Sequence, residues 1–177
     1  ETLFISKSDE VKFIIEVLRF CLNPDLMDSK LFILNFLYNS IEINKTKHMF
    51  IKSLISENRY TFFNELKKNN IHFDYKTLTK SSLYESIEYI IYNFKLNNSS
   101  NSYIQNFLDF TYDYSVNNFA NITDFLNHYD SKKDSLSIIA PKNSNAVNIM
   151  TIHKSKGLEF PIILYPFADL DIYKEKN

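Results

Sequence analysis

The segment Thr151-Ile152-His153-Lys154-Ser155-Lys156-Gly157-Leu158-Glu159-Phe160-Pro161 gathers a hydroxyl, an imidazole, lysines, a carboxylate and the only glycine of the chain. Average usage near 7% would put about 12 glycines in a chain of this length. Glycine is required where the backbone takes φ > 0 or where a ligand approaches the backbone closely. Backbone freedom is therefore kept where potential chemistry is densest. Thr151 and His153 can donate to phosphate, and an imidazole can stack on a base. Lys156 adds positive charge, and Glu159 can accept from ribose hydroxyls or pair with an arginine. Free N–H groups at a helix start favour phosphate, and Ser155 could cap a short helical turn. From spacing alone, an ordinary strand–loop–strand carrying surface lysines accounts for the same residues.

These side chains need elements to hold them. Val147–Ile152 alternates weakly and reads as a strand that would deliver His153 to a sheet edge. Pro161–Phe167 is a nearly continuous apolar run, as in a strand buried on both faces of an α/β sheet. Ser135–Ala140 is short and β-branched. In such sheets, ligands bind beyond the carboxyl ends of the strands.

The rest of the chain reads as helices. From Asp25 to Ala140 there is neither proline nor glycine. Ser8 should cap a helix over Asp9–Leu22, with Val11, Ile14, Ile15, Leu18 and Leu22 on one face and Pro24 just past its end. Further helices are expected over 28–38, apolar at Leu31, Phe32, Leu34 and Leu37, and over 45–54 and 59–68. Ser82 with Glu85 has the form of a capping box for a helix over 83–94. Helices over 102–114 and 122–129, the latter capped by Asn121, complete the body.

Composition narrows the function classes. Of 177 residues, 45% are hydrophobic and 16% aromatic, all Tyr or Phe, which is ample for a core. The net charge of −1 gives no overall nucleic-acid footprint, so any such contact must be local. Cys21 is the only cysteine and reads as a buried helical thiol. His48, His72 and His128 lack metal-ligand spacing, so no metal site is expected. No apolar run reaches the roughly 18 residues of a membrane span, and there is no signal peptide, so a cytoplasmic location is expected. The chain opens at Glu1 rather than Met and stops just after a strand-like run, as a fragment of a longer protein would.

Val147-Asn148-Ile149-Met150-Thr151-Ile152-His153-Lys154-Ser155-Lys156-Gly157-Leu158-Glu159-Phe160-Pro161 resembles motif V of the UvrD-like superfamily 1 DNA helicases. The hydrophobic run Ile162-Ile163-Leu164-Tyr165-Pro166-Phe167 is more similar to the RecB and AddA type nuclease-helicases. The motif covers about a tenth of the chain. The helical body has the length and position of that family's accessory 2B domain, matched there by pattern only, at Ser8-Asp9-Glu10-Val11, Asn23-Pro24 and Leu83-Tyr84-Glu85.

The resemblance implies a mainly α fold: a helical accessory domain over 1–134, then a strand–turn–strand piece of a RecA-like α/β motor domain over 135–177. It implies that Thr151 and His153 face single-stranded DNA, that Lys156 and Gly157 lie near the triphosphate, and that Glu159 reaches the ribose. The parent would use ATP and Mg²⁺, act on single-stranded and duplex DNA in repair, and leave open a fused nuclease and a second helicase-nuclease subunit. The departures matter as much. A phosphate loop of the form G-x-x-x-x-G-K-[ST] needs two glycines, no Asp-Glu pair follows a strand, and the only arginines are Arg19 and Arg59. No nuclease carboxylate cluster is evident. The fragment alone should hold no cofactor and be inactive. Lys67-Lys68 and Lys132-Lys133 read as solvated faces, with a duplex contact left open for one of them. A protein-interaction module without direct DNA contact is the alternative reading.

Overall fold

The computed structural model describes residues 4–96, 102–117, 121–138, 147 and 149–165. The chain divides into two compact units, Thr2–Ala140 and Pro141–Asn177.

The first unit is helical because its start signals are present and are used. α1 (Asp9–Leu22) is capped by the Ser8 hydroxyl, which accepts from the Val11 N–H, with Asp9 and Glu10 in the first turn, where the helix dipole favours negative charge. α2 spans Met27–Ser40 and α3 Lys47–Leu54, the latter capped by Thr46. α4 (Arg59–Leu66) is capped by Asn58 and runs into a 3-10 turn, Lys67–Asn69, closed by Asn70 at φ 60°. A second 3-10 turn, Tyr75–Thr79, precedes α5 (Leu83–Asn93), where both halves of the Ser82/Glu85 capping box form. α6 (Ser102–Asn117) and α7 (Ile122–Lys132) follow, α7 capped by Asn121.

α1 is the axis of this unit and packs against α2, α5, α6 and α7. It therefore buries more than one stripe: Phe13, Val17 and Phe20 are inaccessible alongside Val11, Ile14 and Leu18. Leu22, expected on the core face, is instead exposed in the last turn. On α2 Lys30, Ile33, Leu34 and Leu37 are buried at i, i+3, i+4 and i+7, with Ser29 buried beside them, and Leu31 is turned outward. The interior is largely aromatic. Phe13 stacks on Phe36 at 4.4 Å, Phe20 meets Phe62 edge-on at 4.9 Å, and Phe107 meets Phe125 at 6.1 Å.

Long-range polar ties close the unit. Arg19 donates to both carboxylate oxygens of Asp130 at 2.8 Å and to Glu16 at 2.6 Å, joining α1 to α7. Burial alone would lower the Arg19 pKa, but Glu16 and Asp130 outweigh it and leave it raised. Arg59 donates to the Cys21 carbonyl and lies over the Tyr75 ring at 4.3 Å. The Lys30 ammonium donates to the Ile55 and Glu57 carbonyls at 2.9 and 2.6 Å. Desolvation holds its pKa below the usual lysine value.

Of the strand expected over 135–140, Ile139 and Ala140 lie outside the described residues, and 135–138 form one antiparallel bridge, Phe4 with Ser137, supported by an Ile5 N–H to Leu136 carbonyl bond of 2.8 Å. Leu136 and Ile138 pack on the helical core. In the second unit, Val147 and residues 149–151 form no ladder, Ile152 opens a helical turn, and Pro161–Tyr165 is without strand pairing among the described residues. The reason is physical: an extended segment becomes a strand only when a neighbour supplies its hydrogen bonds, and the described residues contain no such neighbour here. The expected strand–turn–strand is thus not formed among them. Asn148, Pro166 and Phe167 lie outside the described residues.

Candidate functional site

The turn that carries the candidate residues is built by local hydrogen bonds. Thr151, at φ −76° and ψ 155°, is the cap of α8 (Ile152–Ser155), its hydroxyl oxygen accepting from the Lys154 N–H at 3.4 Å. The Thr151 carbonyl accepts from the Lys154 and Ser155 N–H groups at 3.0 and 3.1 Å. Ser155, expected as a cap, instead ends the turn and donates its hydroxyl to the Ile152 carbonyl at 2.9 Å. The Leu158 N–H returns to the Ser155 carbonyl at 3.0 Å, across Gly157.

Gly157 has φ +82°. A Cβ placed there would meet no atom within 4 Å, so the backbone angle, and not crowding within the chain, demands glycine. The chain reverses at this point. Lys156 lies just before the reversal and Glu159 just after it.

His153 therefore sits on a helical turn, not at the end of a strand. His153, Lys156 and Glu159 are all exposed, and among the described residues none makes a side-chain hydrogen bond or ion pair. Thr151, like Gly157, has a structural task, and its O–H donates to no group among the described residues. The turn thus groups the candidates along the chain without joining any two of them directly. Among the described residues neither the Thr151 nor the Ser155 hydroxyl is hydrogen-bonded to a base, so the turn holds polar groups that can bind and orient a ligand rather than a formed nucleophile–base pair.

Charge in the helical unit is segregated. Residues 45–80 carry Lys45, Lys47, Lys52, Lys67, Lys68, Lys76 and Lys80, all exposed, against Glu57, Glu65 and Asp74. Only Lys68 among them is in an ion pair with a described residue, Glu65 at 2.7 Å. From α5 to α7 the balance inverts: Glu85, Glu88, Asp109, Asp113, Asp124 and Asp130 are set against Lys95 and Lys132 alone. The near-zero net charge concealed this division, although a running sum along the sequence would have found it. The two arginines are engaged in structural contacts. Among the described residues, no group of three His, Cys, Asp or Glu could hold a metal ion, and no helix is long and apolar enough to cross a membrane.

No family model matches the chain, and no solved structure matches it. A segment of 68 residues is 35% identical to an ATP-dependent helicase/nuclease subunit of Streptococcus pneumoniae (strain Hungary19A-6). That match covers 36% of this chain and 6% of the relative's length. Over about a third of its residues, then, the chain is similar to a helicase-nuclease subunit.

Proposed function

We propose that the chain is a segment of an ATP-dependent DNA helicase acting in repair or recombination, with its helical unit regulating unwinding and its second unit coupling nucleotide to single-stranded DNA. The observation that carries this reading is the capped turn of Thr151–Glu159, where a glycine demanded by φ +82° separates a Lys-bearing side from a Glu-bearing side. The similarity to a helicase/nuclease subunit supports the same class.

On this reading Thr151 and His153 face single-stranded DNA. Lys156, the Gly157 backbone and Glu159 lie at the nucleotide, with the Glu159 carboxylate accepting from ribose hydroxyls. These residues fit the edge of an ATP site only. A chain with one glycine has no two-glycine phosphate loop, so the phosphates and Mg²⁺ would be held elsewhere in the parent, and the 177-residue chain alone would be inactive. The lysines of residues 45–80 are the surface suited to duplex phosphates. A nuclease and a second subunit in the parent belong to the same proposal.

The test uses the full-length parent. His153→Ala should weaken single-strand binding and DNA stimulation of ATP hydrolysis while sparing basal turnover. Glu159→Ala should mainly raise the ATP requirement. Each lost hydrogen bond is worth roughly 1–3 kcal/mol, or about 5- to 150-fold. Gly157→Val should damage both, because a β-branched residue resists positive φ. Steady-state ATPase assays with and without single-stranded DNA decide it: wild-type ATP and DNA dependence in both side-chain variants would remove these roles.

A further inference from the structure

The helices from α5 to α7, where carboxylates outnumber lysines, also carry exposed tyrosines. α5 and α6 form an antiparallel pair in which Tyr84, at the start of α5, meets Tyr112, in the second half of α6, edge to face at 6.0 Å. Tyr84, Glu88 and Tyr92 recur at four-residue spacing along one side of α5. Asp109, Tyr112 and Val116 share one side of α6 at the i, i+3, i+7 spacing. Tyr92 and Tyr112 are 79% and 58% exposed. Partial burial, then the Glu88 and Asp109 carboxylates, raise the Tyr84 pKa, which places both carboxylates near its ring.

We propose that this α5–α6 face docks a lysine- or arginine-rich segment of a partner protein, its cations lying over the tyrosine rings and pairing with Glu88 and Asp109. Charge complementarity selects the occupant. Phosphate brought against these carboxylates is repelled. An apolar partner would desolvate them without compensation. A cationic polypeptide satisfies both the rings and the carboxylates, since ammonium and guanidinium groups are attracted to tyrosine faces. The protein already uses this pairing internally, with Arg59 over Tyr75 at 4.3 Å and Lys30 over Phe20 at 5.4 Å. Tyrosines are also enriched at protein interfaces, where they give large contact area at low entropic cost. The inference goes beyond the helicase reading and stands or falls separately from it.

The probe is a fluorescein-labelled oligo-arginine peptide, titrated with the 177-residue chain at low salt and followed by anisotropy. Glu88→Lys combined with Asp109→Lys should weaken binding about tenfold, and Tyr112→Ala about threefold. Glu88→Gln with Asp109→Asn keeps side-chain shape and should cost about threefold, which guards against a misfolded double reversal. Glu42→Lys with Asp134→Lys changes net charge equally on other exposed positions and should cost less than about twofold. Equal losses in both double reversals, or no loss in the α5–α6 variants, overturn the proposal. Loss of duplex DNA binding in Tyr112→Ala, with oligo-arginine binding unchanged, would also overturn it, by making this a nucleic-acid surface.

Discussion

The helical unit and the segment 147–165 use the same apolar residue types to opposite ends. In the helical unit Phe13, Phe20, Phe62, Phe107 and Phe125 are wholly inaccessible, and their rings pack on aromatic neighbours. In the segment, Ile162, Ile163 and Leu164 are 80%, 72% and 81% exposed. Polar groups divide the same way: Lys30, Arg19 and Arg59 have partners inside the helical unit, whereas His153, Lys156 and Glu159 have none among the described residues. Side chains buried against one another make a scaffold, while exposed polar groups on a short capped turn remain free to meet a ligand. An exposed apolar run beside that turn has the composition of a strand buried on both faces. On the reading proposed above, it belongs to a motor-domain sheet.

The sharpest test of this contrast is matched truncation. Phe20→Ala removes a ring packed on Phe62 and Phe63 and should cost about 3–5 kcal/mol of stability. Ile163→Ala in the same chain should stay within about 0.5 kcal/mol. Denaturant unfolding of the two variants compares them directly. A cost above about 1.5 kcal/mol for Ile163→Ala would show that the segment is packed in solution and would break the comparison.

Alkaline pH should act on the helical unit through Cys21 and Tyr129. Burial, opposed by Arg59, pushes the Cys21 thiol from 9.0 up to about 12. Burial, aided first by Asp130, pushes the Tyr129 phenol from 10.0 up to about 12. In the unfolded chain both groups lose protons near their ordinary values, so above about pH 9 the unfolded state binds fewer protons than the folded one. Stability should then fall as pH rises from about 9 to 12, with no contribution from these groups below that window. In Cys21→Ala the decline should start about one unit later, at the Tyr129 onset. Unfolding midpoints across that range check it, and an unchanged onset would place the sensitivity elsewhere.

The smallest expected effect is removal of the second unit. A chain ending at Ala140 keeps every buried hydrophobic residue of the core and the Ile5–Leu136 bond. Its helical circular dichroism and cooperative melt should persist, with a midpoint shift of no more than a few degrees. Loss of the cooperative melt would mean that the helical unit depends on residues after 140.

The amino-acid sequence alone determined whatever depends on interactions three or four residues apart. The Ser8, Ser82 and Asn121 caps lie where their types predict, and α1 has the expected bounds. Gly157 was legible as a positive-φ position because one residue type tolerates that angle at low cost. Over 151–161 the residue types were legible but not their setting: Thr151, not Ser155, caps the helical turn, and His153 lies within that turn rather than just past the end of a strand. What tertiary structure decided is what periodicity cannot carry. Lys30 fills a core position because two carbonyls from the α3–α4 connection receive its ammonium. Arg19 finds Asp130 at the far end of the helical unit's sequence, and α1 is buried on more than one side because four helices surround it. A stripe of apolar residues says that a helix has a buried face, but the number of faces depends on its neighbours. A strand, likewise, exists only where another segment supplies its hydrogen bonds.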